Sequence, residues 1–266
     1  YNAMLHVYRH RKTQAEFASF IFKDEAEADR EDKAFGASFR TVPTDSKGVA
    51  HILEHSVLNG SHKYPVKDPF LHLKKGSLNT FLNAMTYNDR TVYPVASRNS
   101  ADFSNLIQVY MDAVFYPVCV QTKFKWILDQ EGWRYDILKS DDGDQDKDQW
   151  QYKGVVYSEM KGVYSNPLSV LEREATSALF PDNTYHFDSG GNPQDIPSLS
   201  YQEFTSFYHK HYHPSNVQIY VSGTKDDVMA SMTLIDDVLK PFNRKDDIRS
   251  KTAIPYQKKT FTTPEY

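Results

Sequence analysis

The sequence predicts an α+β fold in which a mostly antiparallel sheet packs against helices in two layers. Two strand-like segments joined by turn residues open the chain, and amphipathic segments with apolar residues at helical spacing follow them. Hairpins and helices are mixed along the chain, without the regular strand–helix alternation of a parallel sheet. A chain of 266 residues that is 39% hydrophobic and 25% charged can bury a core of this kind.

Charge and composition exclude several classes of function. The formal net charge is -4, so the sequence carries no electrostatic footprint for nucleic acid. No apolar run is long enough to span a membrane, and the first residues do not resemble a signal peptide. The single cysteine, Cys119, excludes an internal disulfide. We therefore expect neither nucleic acid nor a membrane among the partners.

The ends of the sequence predict a fragment organised as one main domain. The chain starts inside a predicted strand and stops after a polar segment that shows no obvious closure. We expect both ends to be cuts in a longer protein. The expected main domain, which holds the functional residues described below, covers residues 1–242, and residues 243–266 are expected to be a linker or the start of another domain.

The first segments are predicted to be strands, followed by two helices. The strands cover residues 4–10, 15–22 and 34–42. The charged segment 23–33 is predicted to be a solvated connection. Three residues offer N-caps for the first helix, which is predicted to end at Gly60: Thr44, Asp45 and Ser46. Asp68 and Pro69 then predict the cap and first turn of a short helix that Gly76 ends.

The middle of the chain predicts a hairpin and a long helix. Residues 78–87 and 90–97 form the two strands, and Pro94 places the second strand towards an edge of the sheet because proline lacks an amide donor. Ser100 is predicted to cap the helix, and Pro117 to stop it. Five apolar residues recur there at helical spacing: Phe103, Leu106, Ile107, Tyr110 and Val114.

The remaining segments predict helices around one further strand. A helix is expected over residues 121–130. The acidic segment 139–149 is predicted to be a polar loop, because it lacks the closing glutamate of an EF-hand calcium loop. The later helices cover residues 152–163, 168–180, 201–212 and 225–242, and the strand covers residues 216–223.

A helical motif carries the first indication of chemistry. On a helix, His51, Glu54 and His55 fall within an arc of roughly 100°. The opposite side is apolar: Val49, Ile52, Leu53 and Val57. One side of this helix can therefore pack while the other presents three functional groups.

The spacing suits a catalytic zinc ion. Imidazoles at positions i and i+4 point the same way and can bind one ion, which in catalytic sites takes three protein ligands and a water. Glu54 precedes the second histidine in this H-x-x-E-H pattern and can serve as a general base. Spacing alone does not decide which glutamate is the third ligand, and there are five candidates: Glu131, Glu159, Glu172, Glu174 and Glu203. Glu159 is attractive because its neighbours are apolar, and a cation would justify a carboxylate there.

Other clusters offer competing interpretations. A second group of histidines could form a structural or storage metal site: His209, His211 and His213. Pro214 favours a helix end at this point, where histidines can interact with the helix dipole and the last carbonyls. Cys119 lies in an apolar segment, which is typical of an inert buried thiol and not of a nucleophile.

Several longer segments resemble a known family. They are GVAHILEHSVLNGSHKYPVKDPF (48–70), LNTFLNAMTYNDRTVYP (78–94), DQEGWR (129–134), GVVYSEMKG (154–162) and HYHPSN (211–216). In this order they are similar to the presequence protease and falcilysin branch of the pitrilysin/insulinase family. The resemblance runs through nearly the whole chain and is separate from the helix geometry.

The resemblance implies a zinc metallopeptidase that degrades short unfolded peptides inside a closed chamber. It implies zinc ligation by His51, His55 and Glu159, with Glu54 as the catalytic base. It also implies that an edge strand binds the peptide backbone, which here corresponds to Asn83, Ala84 and Met85. Strand addition of this kind recognises backbone and suits broad specificity.

The resemblance further implies partners and a compartment. Family members have a second half that supplies an arginine and a tyrosine for the transition state, so this chain alone is expected to be nearly inactive. Similar proteins act in mitochondria, plastid-like organelles or digestive vacuoles, which predicts an intracellular, organellar location. An alternative is a non-catalytic relative that keeps the fold as a subunit or scaffold, although such proteins typically lose part of the zinc motif.

Overall fold

The computed structural model describes residues 3–22, 31–139 and 148–261. The predicted charged connection 23–33 and acidic loop 139–149 lie mostly outside these residues. In the described part of the chain, no helix combines the length and the apolar character that a membrane crossing requires.

A large mixed sheet organises the described residues. Its strands are β1 (Ala3–Arg9), β2 (Glu16–Phe22), β3 (Lys33–Arg40), β4 (Asn79–Leu82), β5 (Met85–Thr86), β6 (Arg90–Ser97) and, later in the chain, β9 (Val217–Gly223). The order across the sheet is β1-β2-β9-β3-β6-β4, with β5 continuing β4 along β6. Neighbouring strands are antiparallel except β2 and β9, which are parallel. The predicted, mostly antiparallel sheet is thus confirmed.

Helices form the second layer. They are α1 (Val49–Val57), α2 (Pro69–Gly76), α3 (Ser100–Phe115), α4 (Trp126–Glu131), α5 (Val155–Tyr164), α6 (Pro167–Leu179), α7 (Tyr201–His211), α8 (Lys225–Leu239) and α9 (Ile248–Lys251). Phe35, Ala37 and Phe39 of β3 are buried, whereas Gly36 and Ser38 between them are partly exposed. Because α3 and α8 pack against the buried face, the core lies between the sheet and this helical layer.

Two predicted helix caps are wrong. The residue before α1 is Gly48, which has a left-handed backbone (φ 69°) and is followed by a helix without a side-chain cap. A Cβ at Gly48 would lie 2.8 Å from the carbonyl oxygen of Gly190, so a close backbone crossing, and not a polar cap, determines this end. Helix α3 is capped by the Asn99 side chain, which accepts from the Asp102 amide, and Ser100 is its first helical residue.

A second, small sheet was missed by the sequence analysis. Strands β7 (Arg134–Leu138) and β8 (Gln149–Lys153) pair antiparallel, so Tyr152 and Lys153 are strand residues and the helix predicted from 152 begins only at Val155. Each pair of partner residues in these two strands is separated by 10 or more residues in the sequence. A pattern within one segment does not reveal such a pairing. The helix predicted over 121–130 is also interrupted: a 3-10 turn (Thr122–Phe124) precedes α4.

Pro94 does not place its strand at an edge, because β6 lies between β3 and the β4–β5 segment. The register puts Asn83 opposite Pro94, and the Asn83 amide donates to the Pro94 carbonyl (3.2 Å). Pro94 has no amide to return. The hydroxyl of Tyr110 in α3 donates to the Asn83 carbonyl instead (3.2 Å). The sheet therefore tolerates this proline because a side chain supplies the missing donor.

The predicted boundary after residue 242 remains a prediction. Beyond it, Ile248 of α9 and Thr252 are buried, and the Thr252 hydroxyl donates to the Asn216 side chain (3.1 Å). Part of the segment that was expected to be a linker therefore packs on the main body of the described residues.

Two histidines of the second group, His211 and His213, make different hydrogen bonds to the backbone. His211 Nδ1 donates to the Phe207 carbonyl (2.9 Å), while His213 Nδ1 accepts from the Ser215 amide (3.1 Å). Burial lowers the pKa of both His211 and His213 to about 4. His211 therefore contacts a last-turn carbonyl as expected, but at neutral pH neither ring is the cation that a helix dipole would favour.

We expect the buried His211 to make folding sensitive to acid. Its pKa lies near 4 in the folded protein and at the ordinary 6.5 when unfolded, so the unfolded chain binds the proton first and stability falls as the pH drops through this window. The free energy of unfolding should lose about 2 kcal/mol from this group between pH 7 and pH 5. Thermal unfolding at the two pH values measures the loss.

The variant His211→Asn keeps an N–H near the Phe207 carbonyl but cannot titrate, so its melting temperature should depend less on pH. His209→Asn is the matched control, since His209 is exposed on the same helix. Equal pH dependence in the wild type and His211→Asn would contradict this origin of the acid sensitivity.

Candidate metal centre

Helix α1 presents the predicted chemical groups on one side. Its apolar residues Ile52, Leu53 and Val57 are fully buried in the core. His51, Glu54 and His55 lie on the other side, next to a cavity of about 570 Å³. The predicted division of this helix into a packing side and a functional side is thus what the structure shows.

Glu159 of α5 completes a group with the two histidines. Its Oε2 lies 3.7 Å from His51 Nε2 and 3.9 Å from His55 Nε2. Among the described residues, this is the one group of three whose potential ligand atoms, all within 4.8 Å of one another, could hold a metal ion. The competing histidines do not form such a group. Of the five candidate glutamates, the fold therefore brings Glu159 to the histidines as a third donor.

Both imidazoles are oriented by acceptors on their far sides. His51 Nδ1 lies 3.1 Å from the Gly190 carbonyl oxygen, and His55 Nδ1 lies 3.4 Å from Glu131 Oε2. If each Nδ1 carries the proton that these acceptors require, each Nε2 keeps a free lone pair towards Glu159. Two neutral imidazoles, a carboxylate and acceptors behind the rings are the donor set that zinc takes in catalytic sites.

Glu131 supports His55 from behind. Burial acts to raise the pKa of Glu131, but hydrogen bonds from His55 and Gln130 outweigh burial and lower it, so the group is a carboxylate. Burial likewise acts to lower the pKa of His55, but the carboxylates of Glu131, Glu54 and Glu159 outweigh it and raise the pKa. The same negative field suits a divalent cation.

Asp188 organises the loop that contacts His51. Its Oδ2 accepts from the Tyr164 hydroxyl (2.8 Å) and from Arg173 Nε (2.6 Å), and its Oδ1 accepts from the Gly190 amide (2.9 Å). This loop was not singled out by the sequence analysis. The available signal was the Gly190-Gly191 pair, which allows the loop to cross the start of α1 closely.

The predicted peptide-binding residues lie beside the same centre. Asn83, Ala84 and Met85 line the cavity together with His51, Glu54, His55 and Glu159. Met85 begins β5, and Asn83 and Ala84 join β4 to β5 along the same side of β6. Next to them, the Thr86 hydroxyl donates to Glu54 Oε2 (2.6 Å). Their role in substrate binding remains a prediction.

We expect Glu131→Gln to weaken metal binding without removing a ligand. The amide keeps the shape of the side chain but is a weaker acceptor for His55 Nδ1–H, and losses of 10- to 100-fold in metal affinity are typical for such partners. Competition with a chromophoric chelator measures the affinity. Glu172→Gln is the control, because Glu172 is exposed and does not line the cavity. Unchanged affinity in Glu131→Gln would show that this contact does not support the metal site.

Comparisons with known proteins found similar sequences. Residues 36–125 match the family model described as insulinase, peptidase family M16, and residues 198–266 match a model described as peptidase M16 inactive domain. The chain is 49% identical over 252 residues to Presequence protease 1, chloroplastic/mitochondrial, of Arabidopsis thaliana, covering 95% of this chain and 22% of that protein. It is 48% identical over 239 residues to Protein HypA of Clostridium perfringens, covering 90% of this chain and 23% of that protein.

A solved structure shares the fold. The crystal structure of pitrilysin matches with a TM-score of 0.63 at 17% sequence identity, covering 92% of this chain and 24% of that one. This similarity confirms the predicted α+β architecture of a sheet packed with helices. The chain spans about a fifth of the length of the two curated relatives.

Proposed function

The chain belongs to the insulinase family, peptidase family M16, and we propose from this membership that it is the metal-binding part of a zinc-dependent endopeptidase that degrades short unfolded peptides. One observation carries the zinc part of the proposal. His51 Nε2, His55 Nε2 and the Glu159 carboxylate converge beside Glu54. This arrangement favours an enzyme over a non-catalytic relative, because such relatives typically lose part of the motif.

The residues around the centre have distinct tasks in this proposal. A zinc ion held by His51, His55 and Glu159 would supply Lewis acidity and an acidified water. Glu54 lies between the two histidines in the sequence and faces the same cavity. Its carboxylate accepts a proton from the attacking water and passes it to the departing amine nitrogen. Gly190 and Glu131 keep the two imidazoles aligned.

The edge strand is the proposed docking place for substrate. Asn83, Ala84 and Met85 line the cavity of the metal centre and lie next to β6 at the edge of the described sheet, where a peptide can add as a further strand. Backbone pairing does not depend on the peptide's side chains. It therefore fits an enzyme that accepts many unfolded sequences.

The proposed partner is a further part of the same protein. The chain spans about a fifth of its curated relatives, so the proposal places the remaining transition-state groups and the closed chamber in a C-terminal half. The name of the Arabidopsis relative includes chloroplastic/mitochondrial, and by that analogy we place this protein in an organelle.

Chelation tests the proposed function. The full-length protein should cleave an unfolded peptide of about 20 residues, lose the activity after dialysis against a zinc chelator, and regain it when about one equivalent of zinc is added. Mass spectrometry of the products measures cleavage. Full activity in metal-free protein would contradict the zinc mechanism. A metal-loaded, folded, full-length protein that cleaves no peptide would support the non-catalytic alternative.

A further inference from the structure

We propose that Thr86 is a positioning residue that connects the peptide-docking edge to the general base. The proposal rests on the proposed function and adds a residue that neither the sequence motif nor the metal geometry identifies. It follows from one hydrogen bond and from the alternation of backbone groups along a strand.

The hydrogen bond fixes the carboxylate of Glu54. Thr86 Oγ1 donates to Glu54 Oε2 at 2.6 Å, a short contact that is typical of a hydroxyl bound to a charged acceptor. In the described part of the chain, no other side chain donates to this carboxylate. Glu54 is only 8% exposed, so little water competes for the contact. With Oε2 held, rotation of the carboxylate is restricted and Oε1 remains for proton transfer.

The backbone of Thr86 faces the open edge of the sheet. The amides of Asn83 and Tyr87 donate to carbonyls of β6, so these two residues direct their backbone groups inwards. Successive residues of a strand alternate in this respect. Ala84 and Thr86 therefore direct their N–H and C=O groups away from β6, towards the side on which the described part of the sheet has no further strand.

Thr86 therefore combines a side chain that holds Glu54 with backbone groups that face the open edge of the sheet. A peptide that adds to the edge pairs with backbone groups of Ala84 and Thr86, and the side chain of Thr86 holds the base. Docking of the peptide then fixes both the scissile carbonyl and the carboxylate relative to the same short segment. Catalysis depends steeply on such alignment, because small displacements of a reacting group cost large factors in rate.

The test uses two substitutions in the full-length enzyme. Thr86→Val keeps the branched shape and the backbone donors but removes the hydroxyl, whereas Thr86→Ser keeps the hydroxyl. We expect Thr86→Val to lower kcat by about 10- to 100-fold, as the loss of a hydrogen bond to a charged group would. KM and zinc content should stay near wild type, and Thr86→Ser should restore kcat to within a few-fold. Thr233→Val is the control, since Thr233 is exposed on α8.

The outcomes separate this inference from the proposed function. Wild-type kcat in Thr86→Val, with Glu54→Gln inactive, would overturn the role of Thr86 and leave the function standing. A rise in KM with unchanged kcat, or a loss of zinc in Thr86→Val, would also overturn it, because the hydroxyl would then serve docking or folding. Wild-type activity in Glu54→Gln would instead refute the proposed function.

Discussion

Replacement of Glu54 by Gln is expected to abolish peptide cleavage by the full-length protein while bound zinc is retained. The amide has the size of the carboxylate and can still accept from Thr86, so the helix and the three donor residues should be undisturbed. It cannot accept a proton from water. General-base catalysis typically contributes a factor of about 100 to 10,000, and kcat should fall by at least the lower figure.

One measurement and one control variant make this expectation specific. The zinc content of Glu54→Gln, determined by atomic emission, should equal that of the wild type. Glu174→Gln serves as the matched control, because Glu174 is exposed and lies outside the metal cavity. Cleavage by Glu54→Gln at the normal rate would show that the proton is accepted elsewhere.

The double substitution His51→Ala, His55→Ala is expected to remove the metal altogether. It deletes two of the three donor groups, and a lone carboxylate that is half exposed cannot retain zinc against a weak chelator. The zinc content should fall from about one ion per chain to near zero, and activity should disappear with it. Atomic emission after gel filtration measures the stoichiometry.

A second double variant, His186→Ala with His209→Ala, is the control, since both of these histidines are exposed. It should keep its zinc. If the metal instead remained in His51→Ala, His55→Ala, the ion would have to be held by other residues, and the assignment of the centre to α1 would be wrong.

The α+β class and most elements were accessible from local pattern. The strand β3 and the apolar stripe of α3 depend on neighbouring residues, and both predictions are confirmed. The errors arose where a distant contact replaced a local signal. Gly48 starts α1 because the backbone at Gly190 crosses there, and Pro94 sits in a central strand because Tyr110 supplies its missing donor.

In the candidate site too, some features follow from the local sequence and others follow only from the fold. The spacing of His51, Glu54 and His55 is a property of one helical turn, and the sequence determined it completely. Spacing did not decide which of five glutamates is the third donor. The family resemblance selected Glu159. The fold supplies the physical reason, because α5 brings that carboxylate to both Nε2 atoms while Glu131 lies behind His55.

The sequence by itself thus determined the fold class, the helix that carries His51, Glu54 and His55, and the apolar side on which that helix packs. Only the tertiary structure decided which groups orient the site: Gly190 behind His51, Glu131 behind His55, and Thr86 on Glu54. Periodicity records contacts within one element. The meeting of residues 51 and 190 depends instead on how the whole core packs, because hydrogen bonds between distant segments form only where buried surfaces bring their backbones together.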